Sequence, residues 1–283
     1  MVITFMNRRS SIKMQHKTVL AGIITAAALL LAPNTGLTAG AVTKQSEIKG
    51  HRQVAIVIDD FGNGMTGTPE MMELPVRFTV AVMPFMPTTK QDAELAFKRG
   101  DDVIVHMPME PVRGKPEWLG PGAITTSMSD AEISKRVEEA IAAVPHAVGM
   151  NNHMGSKVTA DERVMRAVLS VVKKHGMFFL DSRTTYKTVL PKLTAELGVP
   201  LLSNQVFLDD VYTTTHISKQ VGVLKKYLET NDSCVIIGHV GPPGKLTAAV
   251  LKDAIPRLQS TTSFVKLSEM VVPSAEKDII PHS

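Results

Sequence analysis

Apolar runs of strand length recur down the chain: VAIVI (54–58), FTVAV (78–82), VIVH (103–106), AVGM (147–150), MFFL (177–180), LLSN (201–204) and CVIIG (234–238). Between them, positions 90–98, 130–144, 161–174 and 217–228 carry the spacing of amphipathic helices. Two helix starts read as capping boxes, Ser129 with Glu132 and Thr159 with Glu162, where each side chain satisfies the other's free backbone donor. Gly100 and Gly176 fall just past helix ends, where a left-handed residue is wanted. Strands that are apolar on both faces and alternate with helices predict a parallel sheet covered on both sides. About seven such units over residues 53–272 predict one α/β barrel-like domain rather than two.

One apolar run breaks the pattern. Residues 19–32 (VLAGIITAAALLLA) follow four cations, Arg8, Arg9, Lys13 and Lys17, and precede Pro33 and small residues. That order is the one found in secretory leaders, with Ala39-Gly40-Ala41 as the cleavage site. The run is shorter than the ~20 residues a spanning helix needs, so an uncleaved anchor is the weaker reading. Residues 1–41 are therefore expected to be a signal peptide, 42–52 a flexible lead-in and 273–283 a tail, with the body periplasmic or secreted. No second apolar run of this kind follows, so the mature chain is expected to lack a membrane span.

Charge changes the picture only by subtraction. The chain has 31 Lys+Arg against 27 Asp+Glu, and the four leader cations account for the whole excess. A neutral body carries no nucleic-acid footprint despite a pI near 9.1. The one cysteine, Cys234, excludes an internal disulfide framework and a cysteine-cluster zinc site. It lies in a strand, where a thiol behaves as a small hydrophobe.

In parallel α/β folds the chemistry collects at the carboxyl ends of strands. The residues there are Asp59 and Asp60; His106; Asn151, Asn152 and His153; Asp181 and Ser182; Asn204 leading to Asp209 and Asp210; and His239. Any one of these has an ordinary explanation: a strand-end histidine can be satisfied by backbone, and Asp181 can cap the next helix. Adjacent carboxylates need a partner for their repulsion, and a divalent cation supplies it by drawing one into coordination and leaving the other as a base. Asp59, Asp60, His106, His153 and His239 form a mixed oxygen and nitrogen set suited to zinc or another first-row metal. The remaining histidines sit in tails, at helix ends or on the opposite rim. Residues 107–128 hold four prolines and the sole tryptophan, Trp118, and are expected to be a long rim loop shaping a cleft, with Met107 and Met109 as candidate pocket walls. GPPGK (241–245) lacks the spacing of a phosphate-binding loop.

Taken in order, VIDDFG, the strand-end His106, NNHMGS, DSRT and IIGHVGPP resemble the divergent polysaccharide deacetylase family over roughly residues 54–267. The resemblance implies a distorted (β/α)7 barrel of the glycoside hydrolase/deacetylase type. It also implies an exported, metal-dependent hydrolase that removes acetyl groups from a cell-wall or other polysaccharide. Carried over, Asp59 becomes the base, Asp60 and His106 ligands, and His239 the acid. The better-known deacetylases place a second histidine four residues after the first, where this chain has Glu110, and their Arg-Pro-Tyr stretch is NNHMGS here. His153 is the preferred third ligand, with Glu110 the alternative. Asn151, Asn152, Asp181, Ser182, Trp118 and Glu110 are expected to touch substrate or support the ligands. The implied cofactor is a divalent metal, zinc first, and the implied partner a polysaccharide or peptidoglycan-type glycan. A glycan-binding protein that keeps the metal site without catalysis is the competing reading.

Overall fold

The structure, a computed structural model, describes residues 52–271. The expected leader, all but the last residue of the lead-in, and the tail lie outside the described residues.

Nine parallel strands build one curled sheet: β1 (Arg52–Phe61), β2 (Thr79–Val82), β3 (Asp102–Met109), β4 (Ala147–Met154), β5 (Phe178–Asp181), β6 (Leu201–Ser203), β7 (Val206–Phe207), β8 (Ser233–His239) and β9 (Thr262–Val265). The order along the sheet is β6-β5-β4-β3-β2-β1-β8-β7, with β9 pairing the start of β1. Helices α1 (Thr68–Met72), α2 (Thr89–Arg99), α3 (Asp130–Ala143), α4 (Glu162–Lys174), α5 (Leu190–Leu197), α6 (Thr214–Leu228), α7 (Gly244–Leu258) and α8 (Leu267–Met270) complete the domain. The expected barrel is borne out.

Its closure depends on one interrupted strand. β6 bonds only to β5 and β7 only to β8, yet just Asn204 and Gln205 separate them. The Asn204 amide donates to the Asp181 carbonyl at 2.9 Å, and the next amide, Gln205, donates to the Val235 carbonyl at 3.0 Å. The chain thus hands over from one neighbour to the other within a single residue. Counting β6 and β7 as one strand, and setting aside β9, which pairs only with the start of β1, gives the seven units read from the pattern.

Alternation along the strands makes two cores. Ala55, Val57, Ala81, Ile104, Phe178, Leu180, Val235 and Ile237 fill the barrel interior. Val54, Ile56, Ile58, Val105, Met107, Met109 and Phe179 face outward under the helices. Met107 and Met109 therefore pack in the outer core and wall no cleft, which corrects the expectation. Leu267 of α8 joins the interior cluster, and the Leu267 amide donates to Thr79 Oγ1 at the amino end of β2. α8 therefore covers the amino-terminal mouth, opposite the rim that carries the chemistry.

Three local expectations need correcting. The region expected as a loop from 107 is strand as far as Met109, and Ile124 then lies alongside: its amide donates to the Pro108 carbonyl, and its carbonyl accepts from Glu110. Pro108 is tolerated because β2, paired with β3 only as far as Val105, has ended on that side. The start of α4 is capped by Asp161, which accepts from Val164, while Thr159 donates to the Gly155 carbonyl. No helix begins at Asp181; its Oδ1 accepts the Arg183 amide at 2.8 Å in a side-chain turn. The Ser129–Glu132 capping box forms as read.

Candidate metal and hydrolytic site

Strand parity decides which rim side chains meet. Asp59, His106 and His239 each lie two residues beyond an interior position on their own strand, and Asn151 and His153 lie two and four beyond Gly149, where a Cβ would meet the interior Phe178 ring, so all five point inward. By the same rule Asp60 would point out. It adopts φ 71 at a register shift in the β1–β2 pairing, and this turns its carboxylate back toward the same centre. A left-handed, non-glycine residue costs ~1–3 kcal/mol and persists only where its surroundings impose it.

Three ligand atoms converge at that centre. Asp60 Oδ1 lies 3.3 Å from His106 Nε2 and 3.0 Å from His153 Nδ1, and the two nitrogens are 3.1 Å apart. The other face of each imidazole is spoken for. His106 Nδ1 stands 2.8 Å from Asn151 Oδ1, an acceptor, so it carries the proton and leaves the Nε2 lone pair free. His153 Nε2 stands 2.9 Å from the Trp118 carbonyl, which likewise leaves the Nδ1 lone pair free. Asp60 Oδ1 is buried and accepts no hydrogen bond of good geometry. Three lone pairs facing one point fit a metal ion: bonds of ~2.0–2.1 Å give ligand–ligand edges of ~3.0 Å in an octahedral set and ~3.4 Å in a tetrahedral one. The site therefore has the donors for a divalent cation.

Electrostatics agrees with this arrangement. Burial alone would raise the Asp60 carboxyl, but the His106 and His153 imidazoles outweigh it and hold the group well below the usual range. Burial raises Asp59, and His106, His239 and a 2.9 Å hydrogen bond from Asn151 Nδ2 offset it only in part. His106 rises despite burial because Asp59 and Asp60 favour its cationic form. Asp59 is also the register partner of His239 across β1 and β8. His239 Nδ1 binds Asp209 Oδ1 at 2.7 Å, and Asp209 Oδ2 accepts the His239 amide and the Thr247 hydroxyl. Burial pulls the His239 imidazole down, but the Asp209 contact overrides it and the value reaches about 9.

The other expected residues take different places. Glu110 accepts from Thr126 and pairs with Lys157 at 2.6 Å, outside the converging triad. Asn152 faces outward, where its carbonyl and amide groups bind Ser182 and Met154. Ser182 also receives Asn151 Nδ2 at 3.3 Å. The Asp181 carboxyl is buried beside its own turn and raised by that burial. Trp118, with Met65, Met83 and Met86, lines a cleft of about 330 Å³ that opens onto Asp60 and His153. Asp209 was visible in the sequence as a rim carboxylate, but its role as partner of His239 was not read. The signal was there: both follow apolar runs of neighbouring strands. Gly244 of GPPG serves packing, since a Cβ there would clash with the Thr66 carbonyl oxygen, where the loop after β1 crosses the start of α7.

A curled parallel barrel with an Asp-His-His cluster and an Asp–His pair at its carboxyl rim defines a barrel of the polysaccharide deacetylase type. The chain belongs to the divergent polysaccharide deacetylase family, whose sequence profile matches residues 56–271. It is 34% identical over 218 residues to an uncharacterized protein of Haemophilus influenzae, covering 77% of this chain and 76% of that one. The uncharacterized protein YibQ of Escherichia coli is 33% identical over 219 residues, covering 77% of this chain and 67% of that one. Among solved structures, an uncharacterized protein of Agrobacterium tumefaciens superposes with a TM-score of 0.72 at 19% identity, over 78% of this chain and 89% of that one. The peptidoglycan N-acetylglucosamine deacetylase Bc1960 superposes with a TM-score of 0.50 at 14% identity, over 78% of this chain and 89% of that one. These structural likenesses concern the fold.

Two outcomes follow from the site. Asn151→Ala should lower divalent-metal affinity ~10–100-fold, measured by chelator competition, because His106 loses the acceptor that fixes its tautomer. The His239 ring, followed by NMR in the metal-free protein, should titrate near 9, and Asp209→Asn should bring it back toward 6.5. A raised folded-state value stabilises most below the unfolded value and is lost as pH rises past the folded one. The melting-temperature gap between wild type and Asp209→Asn should accordingly be widest below pH 6.5 and close above about 9.

Proposed function

We propose that the chain is an exported, metal-dependent hydrolase that removes acetyl groups from a polysaccharide or peptidoglycan-type glycan. Family membership supports the glycan, and the leader pattern at residues 1–41 supports export. The observation that carries catalysis is the pairing of Asp59 with His239 across adjacent strands, with the ligand triad beside them.

Asp60, His106 and His153 would hold the cation, with zinc the first choice for a two-imidazole, one-carboxylate set. When bound, such an ion acts as a Lewis acid on an acyl carbonyl and acidifies water. Asp59 remains outside the triad, its Oδ1 held by Asn151, and accepts the proton of the attacking water. Asn151 joins the two functions, since its carbonyl orients His106 while its amide orients Asp59. His239 enters the reaction protonated, because Asp209 keeps it cationic at neutral pH, and donates its proton to the departing amine or alcohol. Asp209 also fixes the ring so that Nε2 is the atom left to donate. Trp118 and the methionines beside Asp60 offer an apolar wall for the acetyl group and sugar ring.

Asp59→Asn and His239→Ala should each reduce acetate release from acetylated oligosaccharides by ~10²–10⁴ while metal content stays unchanged. Loss of metal together with rate would mean that these residues are ligands. Full activity in both variants would leave the binding-only reading standing. Mass spectrometry of protein recovered from its native host should give a mature amino terminus close to Ala41; a cytoplasmic product starting at Met1 would remove export from the proposal.

A further inference from the structure

The strand hand-over opens a second cleft at the rim. Where the chain leaves β5 after β6 and pairs with β8 as β7, a cavity of about 280 Å³ forms, lined by Arg183, Thr185, Tyr186, Asn204, Gln205 and Phe207. Phe207 also stacks on the His239 ring, with centroids 6.1 Å apart and planes 17° from parallel. The cleft therefore adjoins the proposed proton donor, while the lining of the methionine-rich pocket includes neither Phe207 nor His239.

The loop over this cleft, residues 182–189, is rigid at its root and chemically distinct. Ser182 makes two hydrogen bonds to Asn152, Thr184 Oγ1 donates to the Met154 carbonyl at 2.9 Å, and the Arg183 amide closes the turn on Asp181. Arg183 is set at φ 60, a left-handed conformation that this turn holds in place. Among the described rim loops it alone carries cations, Arg183 and Lys187, and no acid. Among the described residues neither cation lies within ion-pair distance of a carboxylate, whereas Lys157 and Lys245 at the same rim are paired with Glu110 and Glu70. Tyr186 is 87% exposed, and the Lys187 ammonium lies 5.9 Å from its ring centroid. An arginine that makes no close ion pair among the described residues and acts only at longer range on the buried Asp181 carboxyl, set on a pinned loop beside an exposed aromatic face and a cleft with amide groups, matches a sugar ring that bears an anion.

We propose that this cleft is a subsite for a carboxylate-bearing sugar next to the residue undergoing deacetylation, with Arg183 and Lys187 taking the carboxylate and Tyr186 the ring face. The proposal rests on the deacetylase reading and narrows its substrate to acidic glycans. A uronic acid and a lactyl-ether sugar share the required carboxylate.

Isothermal titration on the full chain tests it with three tetrasaccharides: chitotetraose, which is neutral, a hyaluronan tetrasaccharide, and an alternating N-acetylglucosamine–N-acetylmuramic acid tetrasaccharide. At low salt at least one acidic probe should bind about tenfold tighter than chitotetraose, an advantage that sodium chloride erodes. The acidic probe that binds identifies the source of the carboxylate. Arg183→Gln with Lys187→Gln should abolish the preference and leave chitotetraose affinity unchanged, and Arg113→Gln, on another loop, should not affect it. Equal affinity for all three probes, or a preference that survives the double substitution, would overturn the subsite whatever the rate of acetate release. An acidic preference lost in the double variant, without acetate release from any probe, would uphold the subsite and count only against the hydrolytic reading.

Discussion

A parallel strand has two faces, and everything this protein brings together depends on which residues fall on the inner one. Asp59, His106, Asn151, His153 and His239 share the parity of the residues that fill the barrel, so the register that buries Val57, Ile104 and Ile237 also aims the rim side chains. A slip of one position would exchange Asn151 for Asn152 and move the whole constellation to the helix side. Only Asp60 escapes this rule, through a strained backbone at the point where β1 changes register with β2. The hydrophobic pattern and the chemistry are therefore one constraint, set by the interior.

Within that frame the charges are arranged as a chain of dependencies. Two adjacent carboxylates would repel in a buried site. Burial would raise both, but at Asp60 two imidazoles outweigh it and the group falls low, while at Asp59 burial prevails over His106, His239 and the Asn151 amide and the group stays raised. The difference gives neighbouring, identical side chains different tasks. Asn151 is fully buried and joins the two halves, and Asp209 does for His239 what Asn151 does for His106. These supporting groups carry no charge change of their own in the proposed reaction, yet they determine which proton sits where.

Much of this was legible in the sequence, because long apolar runs and strand-end polar residues are strong signals. The seven main strands and the four longer amphipathic stretches were all found, but β1, β3 and β4 run on three or four residues past the apolar runs, so that His106, Asn151 and His153 lie within strands rather than after them. What escaped was short or locally ambiguous: α5 has eight residues, β7 two and β9 four, too few for a period to show. α7 was missed because it starts inside GPPG and contains Pro256 near its end. At the site, listing polar residues after each run found the ligand atoms. It could not separate Asn151 from Asn152, or see that Met107 faces the helices, until alternation was counted from the interior. The Asp209–His239 contact needed the hand-over between β6 and β7, which no local pattern announces.

The way β1 is paired has a consequence for how the chain reaches this state. Its neighbours are β2 and two strands from the far end of the sequence, with Gln53 opposite Ser233 on one side and Ser263 on the other. The first of the described strands thus gains its remaining neighbours late in synthesis, and the barrel interior stays open until α8 delivers Leu267. Such distant pairings make folding slow. In a chain of this topology Asp59 meets His239, and the interior closes, only after β8, β9 and α8 have been made.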